Sequence, residues 1–103
     1  MFEYIEFTHV PGTRKDRNLI MLALSTCGFC KRAKSFLNEQ QVEYSFVDID
    51  TLDPEVKKRV REEFSDKFKK IPTFPALIMD GEDVLTGFIK PSWVSHLGLE
   101  DAQ

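Results

Sequence analysis

Apolar residues fall into short runs whose spacing predicts alternating strands and helices. Leu19–Leu24 is a continuous apolar run between polar segments, which is typical of a central strand covered on both faces. Between residues 28 and 41 apolar positions recur every three or four residues, which predicts an amphipathic helix with Cys30, Ala33 and Leu37 on its inner face. Residues 42–48 then alternate in polarity, which predicts a second strand.

The second half of the chain predicts a further helix, a hairpin and a closing helix. Asp53-Pro54-Glu55 predicts a helix start, because it offers a side-chain acceptor, a proline in the first turn and an acid at the positive end of the helix dipole. Asp80-Gly81 predicts a tight turn between strands 76–79 and 84–88, because both residues tolerate positive φ. The last predicted helix, residues 91–97, ends at Gly98.

The predicted order is β-α-β-α-β-β-α, which places a helix between two strands that must therefore be parallel. Residues 3–8 are rich in aromatic and β-branched side chains and predict one more strand, ended by Pro11-Gly12. A length of 103 residues suits one domain, so we expect residues 1–103 to form a single unit with residues 1–18 as an N-terminal extension.

The net charge of the chain limits the kinds of partner that we expect. The 14 basic and 17 acidic residues give a net charge of −3 without a basic stripe, so nucleic acid is not an expected partner. Arg14 to Cys27 faintly resembles a lipoprotein signal, but its apolar run is shorter than the roughly 7–15 residues of a signal core. We therefore expect a buried strand in a cytoplasmic protein that does not enter a membrane.

The candidate chemistry is the motif Cys27-Gly28-Phe29-Cys30, at the junction of the first central strand and the first helix. The free amides of a helix start favour a thiolate at Cys27, and Cys30 lies one helical turn further on, so the pair suits a disulfide that opens and closes. Structural zinc is not expected, because His9 and His96 are isolated from the motif. Two inert cysteines and a permanent bridge are the remaining alternatives.

Three motifs in order resemble the thioredoxin superfamily, and its glutaredoxin branch in particular. They are the cysteine motif, Thr73-Phe74-Pro75 before a strand, and Gly87-Phe88 after the hairpin, and the resemblance spans approximately residues 19–98. It implies an α/β protein of thioredoxin-like fold, with a four-stranded mixed central sheet flanked by three helices. The N-terminal segment would add an extra strand.

The resemblance also implies a site around the cysteines. The family places a cis-proline opposite them, and Pro75 is preferred over Pro72, because a strand that began after Pro72 would have to run through Pro75. The implied substrate contacts are Thr73, Phe74 and Pro75 before the strand and Gly87 and Phe88 after the hairpin. Phe29 is a further candidate contact because it lies between the two cysteines. The plainer alternatives are core packing for Phe29 and strand-edge packing for Thr73 and Phe74.

Three departures from the glutaredoxin pattern matter: two affect the choice of electron donor, and the third leaves cluster carriage open. The acid that typically follows the hairpin is absent from Thr86-Gly87-Phe88-Ile89-Lys90-Pro91, a stretch similar to the glutaredoxin-like hydrogen donors of ribonucleotide reductase. No lysine stands in Leu24-Ser25-Thr26, although Lys69 and Lys70 offer positive charge nearby. The Gly-Phe pair inside the motif is similar to monothiol glutaredoxins that carry iron–sulfur clusters.

The implied function is a monomeric thiol–disulfide oxidoreductase without a permanently bound cofactor or metal. Cys27 would attack the disulfide of a protein or small molecule, and Cys30 would resolve the mixed disulfide. Glutathione or a thioredoxin-reductase-type enzyme would return the electrons. One alternative is a carrier in which Cys27 and external thiols hold a [2Fe–2S] cluster between two chains; another is a module that retains the fold only for docking.

Overall fold

The computed structural model describes residues 1–99, which form one mixed sheet with helices on both faces. The strands are β1 (Thr8–Val10), β2 (Leu19–Ala23), β3 (Tyr44–Asp48), β4 (Ala76–Met79) and β5 (Asp83–Thr86). The helices are α1 (Gly28–Glu39), α2 (Pro54–Phe68) and α3 (Lys90–Leu97), with a 3-10 turn at Ile49–Thr51.

The strand order is β1-β3-β2-β4-β5, so β2 is the central strand, as predicted. Leu22 of β2 lies opposite Val47 of the parallel strand β3 and opposite Ala76 of the antiparallel strand β4. The parallel pair requires the crossover that α1 provides. The four predicted strands flanked by three helices are therefore confirmed, and β1 extends the sheet to five strands by pairing antiparallel with β3.

Two apolar layers cover the sheet, one on each face. On one face α1 and α3 pack against β2 and β4, through buried side chains that include Ala33, Phe36, Leu37 and Trp93. On the opposite face α2 packs with the N-terminal segment, through buried side chains that include Phe2, Ile5, Val60 and Phe64. The sheet therefore separates a layer that carries the cysteine helix from a layer that does not.

The N-terminal strand predicted at residues 3–8 is wrong in position, since β1 spans only Thr8–Val10. The preceding residues form a turn in which the Ile5 amide donates to the Phe2 carbonyl at 3.1 Å. A turn brings these two side chains, three residues apart, to the same side, where both are buried against α2. Glu63 of α2 fixes the turn by accepting from the Phe2 amide at 3.1 Å and from the Tyr4 hydroxyl at 2.8 Å.

Several element ends differ from the prediction. Helix α1 ends at Glu39 rather than at residue 41, and Gln41 takes a left-handed φ of 57°. The carboxylate of Asp53 makes no capping hydrogen bond, although α2 begins at the predicted Pro54. The turn at Asp80-Gly81 has the predicted positive φ at both residues, 56° and 71°. No helix among residues 1–99 has the length and apolar character needed to cross a membrane.

Candidate active site

The cysteine motif begins at the N-terminal end of α1, immediately after the loop that follows β2. Cys27 is the residue that caps this helix, and its Sγ accepts a hydrogen bond from the Cys30 amide at 3.1 Å. Cys27 is half-buried, so it remains partly accessible to solvent while its sulfur accepts this hydrogen bond. A thiol in this position is available to an incoming disulfide.

Cys30 lies on the inner face of α1 and is fully buried. Burial, together with a hydrogen bond to Cys27, raises the pKa of the Cys30 thiol to about 12. Both cysteines are free thiols in the structure. The two sulfurs are therefore unequal: Cys27 meets solvent, whereas Cys30 stays protonated beneath it at neutral pH.

A carboxylate that follows β3 holds the loop between β2 and Cys27. Asp50 lies in the 3-10 turn after β3 and accepts from the Ser25 amide at 2.8 Å and from the Ser25 hydroxyl. These hydrogen bonds lower the pKa of Asp50, because they stabilise its charged form. Asp50 thus ties the end of β3 to the loop that positions Cys27.

The loop before β4 contains the second predicted motif. The peptide bond between Phe74 and Pro75 is cis, as preferred for Pro75 over Pro72. Pro75 is buried, Phe74 is half-buried and Thr73 is exposed. Because Ala76 pairs with Leu22 near the end of β2, this loop lies at the edge of the sheet from which the cysteine motif emerges.

The third motif is joined to the second by a backbone hydrogen bond. The Gly87 amide donates to the Pro75 carbonyl at 2.8 Å, and the Gly87 carbonyl accepts from the Trp93 indole at 3.0 Å. Gly87 has a φ of 74°, a conformation that favours glycine. The Phe88 ring is half-buried and packs 5.6 Å from the Phe36 ring and 5.0 Å from the Trp93 ring, so it belongs to the α1 and α3 layer.

Phe29 is not a core residue, since 56% of it is exposed. The guanidinium of Arg32, one turn later on α1, lies 5.2 Å from the centre of its ring. An exposed aromatic ring between the two cysteines is free to meet whatever approaches Cys27.

The family model of glutaredoxin matches residues 18–84, which contain the cysteine motif and the cis-proline loop. The chain belongs to the glutaredoxin family. Among solved structures, it is similar to the glutaredoxin from Methanosarcina mazei Go1, at 28% identity and a TM-score of 0.77, over 92% of this chain and 90% of the other. These findings confirm the resemblance and the thioredoxin-like fold.

Two further solved structures are similar to this glutaredoxin. Methanosarcina acetivorans methanoredoxin is 28% identical with a TM-score of 0.75, over 85% of this chain and 90% of the other. The glutaredoxin (grx-1) from Archaeoglobus fulgidus is 26% identical with a TM-score of 0.67, over 78% of this chain and 85% of the other. A search of curated proteins finds no match.

The departures from the glutaredoxin pattern are visible in the structure. Ile89, in the stretch where the family typically has an acid, is 62% exposed, and Lys90 begins α3. Lys69 and Lys70 are both exposed at the end of α2. Within residues 1–99, no three His, Cys, Asp or Glu side chains gather as a metal site.

Sequence reasoning missed two contacts of this glutaredoxin's site. The sequence analysis did not identify Asp50. A usable signal was its position just after β3, the strand that runs parallel to the strand before the cysteine motif. The Lys34 ammonium, one turn beyond Cys30, lies 3.3 Å from Asp48 and 4.0 Å from the centre of the Phe46 ring. No local sequence pattern predicts the contact between Lys34 and Asp48, because the two residues are 14 positions apart.

Proposed function

We propose that this glutaredoxin is a dithiol thiol–disulfide oxidoreductase, with Cys27 as the nucleophile and Cys30 as the resolving thiol. The observation that carries the proposal is the inequality of the two sulfurs. Cys27 is half-buried at the helix start, whereas Cys30 is fully buried with its pKa raised to about 12. The accessible sulfur attacks first because the buried one has neither the access nor the charge.

The reaction runs in two exchanges. The Cys27 thiolate attacks one sulfur of the substrate disulfide, so that a mixed disulfide forms and the other substrate sulfur leaves as a thiolate that takes up a proton. Cys30 then loses its proton and attacks the Cys27 sulfur, releasing the second substrate thiol. Two electrons pass to the substrate, and the protein is left with a Cys27–Cys30 disulfide.

The substrate contacts of the proposal are the exposed Phe29, the Thr73-Phe74-Pro75 loop and the Gly87-Phe88 turn. By the family resemblance, the Phe74 backbone would pair with the peptide that carries the attacked sulfur. The hydrogen bond from Gly87 to Pro75 supports this arrangement, because it keeps the two loops together.

The electron donor is glutathione or a thioredoxin-reductase-type enzyme, and the protein acts as a monomer in the cytoplasm, where thiols are kept reduced. No observation among residues 1–99 favours cluster carriage, the alternative that the Gly28-Phe29 pair left open.

The test compares wild type with Cys27→Ser and Cys30→Ser in NADPH-coupled reduction of insulin. Each protein is assayed once with glutathione and its reductase, and once with thioredoxin reductase. We expect Cys27→Ser to be inactive with both donors. In the arm with thioredoxin reductase, which contains no glutathione to resolve the mixed disulfide, Cys30→Ser should accumulate a covalent adduct with the insulin chains, visible on a non-reducing gel and released by dithiothreitol. Undiminished activity of Cys27→Ser would overturn the assignment of the nucleophile.

A further inference from the structure

A groove runs along α1 away from the cysteine motif, between this helix and the start of α3. Its volume is about 310 Å³, and the side chains that matter for its chemistry are Lys31, Arg32, Phe36, Glu39, Phe88 and Lys90. The packed rings of Phe36 and Phe88, 5.6 Å apart, contribute an apolar part of the lining, and three cations and one carboxylate contribute the charged part.

The charge of this groove is opposite to that of the whole chain. Three cations against one carboxylate leave a local excess of positive charge, whereas the chain carries a net charge of −3. Lys31 and Arg32 are exposed, and within the described part of the chain neither forms an ion pair. Their charge is therefore directed to solvent and to an approaching partner, rather than neutralised within the fold.

The groove begins beside the cysteine motif, because its lining residue Lys31 directly follows Cys30 on α1. The Lys31 amide donates to the Cys27 carbonyl at 3.1 Å, and Arg32 lies over the exposed Phe29 ring between the two cysteines. Ile89, 62% exposed, lies in the chain between Phe88 and Lys90, two residues that line the groove. A ligand whose disulfide reaches Cys27 would thus place its neighbouring groups over a surface that is apolar and positively charged.

The dimensions fit a stretch of polypeptide. Arg32 and Glu39 are seven residues apart on one helix, which spans about 10 Å at the α-helical rise. An extended chain covers that distance with about three residues. The groove is thus long enough to take the residues that flank a disulfide, beyond the sulfur atoms themselves.

We propose that this groove binds an acidic segment of a protein partner, lying beside the disulfide that Cys27 reduces. The proposal rests on the proposed function and names the chemistry of its substrates. Charge complementarity selects acidic side chains, and the exposed Phe29 and the half-buried Phe88 favour apolar neighbours between them. Such a surface raises the rate of association with acidic partners and disfavours basic ones.

The test uses three peptides of one length, each with the same internal disulfide, flanked on one side by acidic, neutral or basic residues. kcat/KM is measured for wild type, Arg32→Glu and Lys31→Glu at low salt and at 0.5 M NaCl. We expect wild type to prefer the acidic to the basic peptide by about tenfold at low salt, and the preference to shrink at high salt. Each variant should lower that ratio by at least about threefold.

Lys58→Glu is the matched control, because it makes the same charge change at an exposed position of α2, on the opposite face of the sheet. It should leave the acidic-to-basic ratio unchanged. A ratio near one in wild type, or an equal fall in Lys58→Glu, would overturn the proposed groove. The small dianion 3,3′-dithiodipropionate is assayed beside the peptides. If charge reversal at Lys31 and Arg32 lowers its kcat/KM as much as that of the acidic peptide, the groove is an anion site for small molecules and the peptide assignment fails. Failure of wild type to reduce even the neutral peptide would instead contradict the proposed function.

Discussion

The buried thiol of Cys30 makes the stability of the reduced protein depend on pH in the alkaline range. Its pKa is about 12 in the folded protein, against an ordinary value of 9.0. Between these two values the unfolded chain has released the proton and the folded chain still holds it. The unfolded state then binds fewer protons, so the free energy of unfolding must fall as the pH rises.

The size of the fall follows from the gap between the two pKa values. One pH unit within the gap is equivalent to about 1.4 kcal/mol, so the full gap is equivalent to about 4 kcal/mol. Near pH 10.5, halfway through the gap, the loss is about 2 kcal/mol. Small domains have free energies of unfolding of about 5–15 kcal/mol, so this single thiol would remove a substantial part of the total.

The assay is urea unfolding of the fully reduced protein, without oxygen, between pH 7 and 11. Wild type is compared with Cys30→Ala, and the difference between the two removes contributions from other groups, such as Tyr4, whose pKa is raised to about 12. We expect the difference to be constant below pH 8 and to fall by about 1.4 kcal/mol per unit above pH 9. Because burial is the first cause of the shift, Cys27→Ala should retain most of that slope.

A difference that stays constant up to pH 11 would contradict a raised pKa of Cys30 in the folded protein. Cys30 would then titrate alike in the folded and unfolded chain, which is incompatible with a thiol held protonated beneath the surface. The assignment of separate roles to the two sulfurs would lose its main support.

Two further predictions concern residues outside the cysteine pair. Phe2→Ala should lower the free energy of unfolding by about 3–5 kcal/mol, because Phe2 is buried, whereas the same truncation at the exposed Phe29 should change it by less than about 0.5 kcal/mol in urea unfolding. Asp50→Ala should destabilise the protein at pH 7, because the depressed pKa of Asp50 makes its contribution fully present above 3.8 and lost as the pH falls through its lower folded value. Melting curves of Asp50→Ala and wild type should therefore converge in acid; a constant separation would contradict the role of the Ser25 hydrogen bonds.

The regular elements could be predicted from sequence because their signals are local. A continuous apolar run located β2, apolar periodicity located α1, the helix-start residues Asp53-Pro54-Glu55 located α2, and the conformational tolerance of Asp80-Gly81 located the hairpin. The N-terminal strand was misplaced, because Tyr4, Ile5 and Phe7 give residues 3–8 an aromatic and β-branched pattern, whereas Phe2 and Ile5 pack as a turn against α2. Contact with a helix far along the chain overrides the local preference for strand.

The same distinction applies to the candidate site. The cysteine pair and Pro75 are recognisable because each lies within a short motif next to a strand or helix boundary. Asp50 is not, since its partner Ser25 is 25 residues away and the contact exists only once β2 and β3 are paired. The groove charge was also missed, because Lys31, Arg32 and Lys90 come from two helices that only the fold brings together.

The cysteine motif and the groove belong to one face of the sheet, and the opposite face carries a separate apolar layer. Helix α2 and the turn around Phe2 form an apolar layer on one face, closed by the hydrogen bonds of Glu63. Helices α1 and α3 form the other layer, and they carry Cys30 inward and the groove cations outward. Because the sheet separates the two layers, the groove can change its charge without repacking α2. The proposed preference for acidic partners can therefore be altered by Lys31→Glu or Arg32→Glu without changing the buried thiol or the cis-proline loop.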